Sequence, residues 1–268
     1  QTISMPTDAR AGLSVTAHNN SHLIVNTSRF SNLSFLPEGW QSHDVGAVGA
    51  TGWDSWDGGS MTLASAGSDI WAGSDSFRYV HQVLTGDGSI VAQLNGLPDA
   101  DPWAKVGLMI RQSLAADAPN AAMLLTPENG AQFQSRSATG GATSNSSLPA
   151  ESPKWVKLER SGDSVTGYVS DDGSTWTPVG SANVSLDAPF YVGLAATSHD
   201  TGAVGEANLS NISVACEGFV EYQHTHFTTE QLLDTDLSRA EADANRDGVS
   251  NLMAYAAGLG PWERATEA

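Results

Sequence analysis

The sequence predicts an all-β protein, a two-sheet antiparallel sandwich followed by a short α-helical tail. Three observations predict it. From about residue 36 to 214, short runs rich in Val, Ile, Leu, Thr and aromatic residues alternate with clusters of Gly, Asp, Asn, Ser and Pro, roughly every ten residues. Within these runs polarity follows a two-residue period, and no stretch of the region carries a convincing helical one. After residue 215 the texture changes to helix-capping and helix-stopping signals.

The strand runs come in order as "SIVAQLNGL", "AKVGLMIRQSL", "AAMLLTPENG", "AQFQSRSATGG", "WVKLERSGD", "SVTGYVSDDGSTW", "FYVGLAATSHD" and "EANLSNISV". In "WVKLER", Val156 and Leu158 face one way while Lys157 and Glu159 face the other, as in a strand with one wet side. Asp172-Gly173 is a hairpin turn signal, because glycine tolerates positive φ. In the tail, Thr228 is the expected N-cap of a helix. Gln231 is its capping-box partner, and Phe227 with Leu232 forms a hydrophobic staple. A second short helix lies in "SNLMAYAAGLGP", stopped by Gly258, Gly260 and Pro261.

Composition narrows the classes of function. Twelve basic residues against thirty acidic ones give a formal charge of −18. Such a surface repels nucleic acid and anionic membranes, both of which need basic patches. No apolar run reaches the length of about eighteen residues that a membrane-spanning helix needs. Cys216 is the only cysteine, so an intrachain disulfide and a cysteine-based zinc site are excluded.

The chain also resembles itself. With Gly12 set on Gly193, Leu13 matches Leu194, Thr16 matches Thr197 and His18 matches His199. After a small adjustment "SRFSNLSF" (28–35) falls on "ANLSNISV" (207–214). Residues 1–35 therefore read as the last strands of a preceding copy of the sandwich. Residues 36–215 read as the whole copy and 216–268 as the helical segment, within a tandem array. The expected neighbours are further copies of the same domain.

The segments "DVGAVGATG", "GSDIWAGSDSFRYVHQVLTGDGSIVAQL", "DPWAKVGLMIRQSL", "WVKLERSGDSVTGYVSDDGSTWTPVG" and "YVGLAATSHDTGAVGEANLSNISV" resemble the regulation-of-enolase-type domain. That family belongs to the concanavalin-A-like lectin/glucanase superfamily. The resemblance spans about residues 38 to 214. It implies a jelly-roll sandwich, a secreted or cell-surface multi-domain bacterial parent, and a sugar-related role, but no catalytic activity. Hydrolases of the superfamily carry a Glu-X-Asp-X-X-Glu strand pattern that sets an acid and a nucleophile about 5 Å apart. No such triplet occurs, and neither does a nucleophile elbow or a His-Glu-X-X-His motif.

Binding is thus the expected activity, with polysaccharide the expected partner. Trp53 and Trp56, in the Gly/Asp-rich "TGWDSWDGG", are candidate ring-stacking platforms, with a core role as the alternative. Trp71, Trp103, Trp155 and Trp176 fall inside the family's recurring segments and read mostly as framework. Lys105 and Arg111 are expected on the face opposite Val106, Leu108 and Ile110, and Gln134 and Arg136 on the face opposite Phe133. These four would line a groove for hydroxyl or carboxylate groups, or else the cations pair with some of the thirty acids. His43, His81 and His199 show no metal spacing.

"DANRDGVSNLMA" (243–254) follows calcium-loop logic. Asp243, Asn245 and Asp247 stand at positions one, three and five, Gly248 at six, the Val249 carbonyl at seven and Asn251 at nine. It resembles single dockerin-like and thrombospondin-type-3-like calcium loops but departs at position twelve, where Ala254 replaces the acidic ligand. Calcium is the expected cofactor, as a structural clip.

The reading from sequence is a non-catalytic carbohydrate-binding module of a large secreted protein that acts on or adheres to polysaccharide. One alternative is a structural or adhesive tandem repeat of a cell-surface or fibre protein. Another is an accessory part of a glycoside hydrolase or polysaccharide lyase whose active site lies elsewhere.

Overall fold

A computed structural model describes residues 36–99, 101–152 and 154–264. The reading of residues 1–35 as strands of an earlier copy lies outside the described residues. The chain forms β1 (Gln41–Val45), β2 (Trp53–Trp56), β3 (Ser60–Gly67), β4 (Phe77–Leu84), β5 (Gly88–Gly96), β6 (Lys105–Arg111) and β7 (Asn120–Thr126). It continues with β8 (Gly130–Arg136), β9 (Ser144–Leu148), β10 (Lys154–Ser161), β11 (Ser164–Ser170), β12 (Thr177–Asn183), β13 (Phe190–Thr197) and β14 (Asp200–Cys216). Four short helices follow: α1 (Phe219–His226), α2 (Thr229–Leu233), α3 (Thr235–Ser238) and α4 (Asn251–Ala256).

The strands make two antiparallel sheets, ordered β1-β4-β13-β6-β7-β8-β9 and β12-β11-β10-β5-β14-β3-β2. Chain neighbours such as β3, β4, β5 and β6 pass from one sheet to the other, which is jelly-roll connectivity. The two-residue period places the core. Val156 and Leu158 are fully buried between the sheets, beside Leu63, Ile90, Val106, Leu108, Ile110 and Leu194, while Lys157 and Glu159 are only half-buried on the outside. Burying each such Leu or Ile is worth roughly 1.5–3 kcal/mol. Phe133 of the first sheet needs more room than the intersheet spacing gives. Gly167 and Gly180, paired across β11 and β12, provide it: a Cβ there would stand 2.6 and 2.7 Å from the Phe133 ring.

The outer face of the first sheet is covered as well. Residues 68–76 and 112–119 lie against it, and Ile70, Leu114 and Ala116 join Val45, Phe77, Tyr79, Met109, Ala122, Leu124 and Ala195 in a second apolar cluster. The helical segment covers another part of this face, where Tyr222, Phe227 and Leu232 pack with Val83 and Tyr191. The Thr228–Gln231 capping box forms as the sequence predicts, and Phe227 and Leu232 share that cluster. Gly258 at φ +71° follows α4. Helix α1, which precedes the capping box, carries no side-chain cap at Gly218 and went unsignalled.

Candidate functional site

Four connections gather at one end of the sandwich: residues 68–76 after β3, 101–104 before β6, 198–199 after β13 and 127–129 between β7 and β8. Strand pairing brings them together, since Lys105 pairs with Thr197 and Gly67 with Asp200. Each connection is pinned by its own polar groups. The Asp69 carboxylate accepts from the Ile70 amide at 2.7 Å and from the Lys105 ammonium, which also donates to the Ile70 carbonyl at 3.2 Å. The Asp101 carboxylate accepts from the Trp103 amide at 2.7 Å. Asn129 donates to the Pro102 carbonyl at 2.9 Å.

His199 joins these loops. Its Nε2 lies 3.5 Å from Asp69 Oδ2 and its Nδ1 3.0 Å from Asp101 Oδ1. It holds φ +61°, a conformation that disfavours any residue with a Cβ and is kept here by the surrounding bonds. The preceding Ser198 hydroxyl donates to the Asp200 and Ala203 carbonyls, each at 2.7 Å. From the two loops so tied, Trp71 and Trp103 project into solvent, 40% and 45% exposed. The Lys105 ammonium sits 5.9 Å from the centre of the Trp71 ring. Large exposed indoles beside partly exposed carboxylates and an imidazole offer flat apolar faces together with hydrogen-bond acceptors and donors. A pyranose ring presents the complementary set, a flat C–H face rimmed by hydroxyls.

The structure redistributes the residues singled out from sequence. Trp53 and Trp56 do not form one platform. Trp53, paired with Ala64, is 38% exposed on the outer face of the second sheet, whereas Trp56, paired with Met61, packs half-buried against the intersheet core. The open groove expected from Lys105, Arg111, Gln134 and Arg136 is corrected. All four take the expected side of the first sheet, yet none is more than 2% exposed. Strand alternation dictates which side of a sheet a residue occupies, and says nothing of loops laid over that side. The alternative weighed for the cations is the one found, because Lys105 pairs with Asp69 and both arginines pair with buried Asp75.

These buried cations position the site. Arg136 Nε donates to the Ala72 carbonyl at 3.0 Å and its Nη2 to the Trp71 carbonyl at 3.3 Å, so Arg136 and Lys105 seat the loop that displays Trp71. Reading Trp71 and Trp103 as framework missed their exposure. The Asp-X-Trp pattern shared by Asp69-Ile70-Trp71 and Asp101-Pro102-Trp103 also occurs at Asp54-Ser55-Trp56, whose indole is half-buried, so it did not mark exposure.

The 243–251 loop is folded around its oxygens. Asp243 accepts from the Asp247 amide at 3.1 Å and the Gly248 amide at 2.7 Å, Asn245 accepts from the Asp247 amide at 3.1 Å, and Asp247 accepts from the Val249 amide at 2.9 Å. Arg246 and Gly248 take positive φ to make the turn. Asn251 is placed differently from expectation. It is buried at the start of α4, and its amide donates to the Leu237 and Arg239 carbonyls at 2.8 and 2.9 Å, which straps α3 to α4. Ala254 is buried. Among the described residues no group of three or more His, Cys, Asp or Glu side chains is disposed to hold a metal ion. The oxygen donors the loop carries are the side chains of Asp243, Asn245 and Asp247 and its backbone carbonyls.

Comparison with solved structures finds partial likenesses. A protein of unknown function from Saccharomyces cerevisiae superposes with a TM-score of 0.53 at 16% identity, over 67% of this chain and 97% of its own. The carbohydrate-binding module CBM66 from Bacillus subtilis gives 0.45 at 18% identity, over 67% and 96%. A Bacteroides ovatus xyloglucan-locus protein, GH43B, gives 0.49 at 15% identity, over 75% of this chain and 42% of its own. At 16% identity the likeness to the yeast protein is one of fold alone. No protein-family model matches the chain, and no curated protein does.

Proposed function

We propose that this chain is a non-catalytic carbohydrate-binding module of the regulation-of-enolase type, from a secreted or cell-surface protein that acts on or adheres to polysaccharide. One observation carries the reading: Trp71 and Trp103 stand exposed on two loops fastened together through Asp69, His199 and Asp101. The indoles stack on sugar rings, and the carboxylates accept hydroxyl hydrogens. Affinity electrophoresis against neutral and acidic polysaccharides tests it. Trp71→Ala and Trp103→Ala are each expected to weaken retention about tenfold or more, the loss of a buried aromatic anchor being worth roughly 2 kcal/mol. Trp53→Ala is expected to leave retention unchanged. Absence of retention on any polysaccharide would overturn the reading in favour of a spacer repeat.

The same proposal includes a calcium ion in the 243–251 loop, on the carboxylates of Asp243 and Asp247, the amide oxygen of Asn245 and the carbonyl of Val249, with Asn251 as a positioning residue. Bound there, the ion neutralises carboxylates that otherwise repel each other. The lost acidic ligand at Ala254 weakens the site without emptying its first half. Limited proteolysis is expected to cut near Arg246 faster in chelator than in calcium. Equal rates would remove the ion from the account.

A further inference from the structure

A cleft lies away from the indole loops, where the helical segment meets the sandwich. It has a volume of about 660 Å³, within the range of small-ligand sites, roughly 300–1,000 Å³. Its floor is the apolar patch of Val83, Phe227 and Leu232. Trp40 lines one side while also packing against the intersheet core, with Gln41 and Gln82 beside it. The opposite side is the end of α1 and the start of α2. Thr229 Oγ1 donates to the Gly39 carbonyl at 3.3 Å and so ties the two sides together.

Three features of the lining specify a ligand. Glu38 and Glu230 bring exposed carboxylates, while no Lys or Arg lines the cleft. The cleft therefore favours a cation over an anion. His224 Nε2 is buried and has no hydrogen-bond partner, a cost a bound polar group would relieve. Burial also holds the His224 imidazole below its ordinary pKa, so it adds no positive charge. The amides of Gln41 and Gln82 and the hydroxyls of Thr228 and Thr229 offer the mixed donors and acceptors that sugar hydroxyls use. An indole face beside carboxylates also suits an ammonium group.

We infer that this cleft is a second binding site, for a free-amine sugar of the glucosamine type, independent of the ligand held by Trp71 and Trp103. The ammonium sits between Glu38 and Glu230, the ring lies along Trp40, and a hydroxyl partners His224. A peptide amine lacks the hydroxyls that the amides and threonines are set to receive.

Calorimetric titration of the full chain tests this with three ligands: a glucosamine disaccharide, its N-acetylated counterpart and a lysine-containing dipeptide. The free-amine sugar is expected to bind, with the other two at least tenfold weaker. The double variant Glu38→Gln/Glu230→Gln should lose roughly five- to tenfold for the free-amine sugar, as expected for two exposed charge pairs. Trp71→Ala/Trp103→Ala should leave this binding unchanged, which separates failure of the cleft from failure of the indole site. Equal affinity for acetylated and free-amine sugars, indifference to the glutamate replacements, or stronger binding of the dipeptide would each overturn the assignment.

Discussion

Replacing Asp75 with alanine is expected to destabilise the chain by about 3–5 kcal/mol, the cost of leaving a buried charge without its partner. Asp75 is 2% exposed and stands between two arginines that are fully buried. Arg136 meets it bidentately, Nη2 to Oδ1 at 2.5 Å and Nη1 to Oδ2 at 2.9 Å, and Arg111 Nη1 approaches Oδ2 at 3.4 Å. Asn120 donates to the same oxygen at 3.2 Å. One anion therefore serves two guanidiniums and balances one of their charges, and backbone carbonyls stabilise the remaining positive charge. Arg111 donates to those of Ser113 and Ala115, Arg136 to those of Trp71, Ala72, Ala116 and Ala118. Burial presses the Arg111 pKa down and Asp75 works against that pressure. Removing the carboxylate leaves two charges in an interior that cannot hydrate them. Denaturant titration of Asp75→Ala reads the loss directly. Asp75→Asn, which keeps an acceptor but no charge, should fall between the two. A loss below about 1 kcal/mol in Asp75→Ala would show that the carbonyls alone hold the arginines. Because Arg136 also seats Trp71, polysaccharide retention should fall with stability in these variants, whereas Trp71→Ala should lose retention alone.

Asp75 also marks where the sequence stopped being readable. The sandwich was legible because strand alternation is local: Val156 and Leu158, or Val106, Leu108 and Ile110, carry their orientation in their own spacing. The same logic put Lys105, Arg111, Gln134 and Arg136 on the right side of the first sheet. It could not show that residues 68–76 and 112–119 lie across that side, because loop placement depends on contacts between residues some forty to sixty positions apart, such as Asp75 with Asn120 and Arg136. A lone buried Asp and two strand arginines look, in sequence, like any solvated charges. The indoles were misread for the converse reason. Trp71 and Trp103 lie in segments with strong recurring patterns, and a pattern shared with framework residues does not reveal exposure. The capping box at Thr228 was fully legible because all of its members lie within one helical turn. Only half of the 243–251 loop was, since Asn251 answers to carbonyls at Leu237 and Arg239 rather than to its neighbours.

The second large effect is expected from pH, through His81. This residue of β4 is 1% exposed, stacked between His43 and Tyr79 with ring centres at 5.1 and 4.9 Å, and met edge-on by Tyr191. Its Nε2 and His43 Nδ1 lie 2.9 Å apart and share one hydrogen, while its Nδ1 is buried without a partner. An imidazolium here would bring a further positive charge into a site already near Arg111 and Arg78. Burial above all, then His43 and those two arginines, pushes the His81 pKa down to about 3. In the unfolded chain the value is about 6.5. Between those limits the unfolded state takes up a proton that the folded state refuses. Stability contributed by neutral His81 is therefore complete above about pH 6.5 and is lost as pH falls toward 3, at up to about 1.4 kcal/mol per pH unit. His224, also lowered by burial, adds in the same direction. A difference measurement isolates His81. His81→Phe keeps a flat ring in the stack and leaves the exposed His43 to water. From pH 6.5 to 4 the native protein should lose about 2–3 kcal/mol more than the variant in denaturant titrations. Parallel stability curves would mean that His81 accepts its proton inside the folded sandwich, and that its burial is less complete in solution than the packing of these four rings requires.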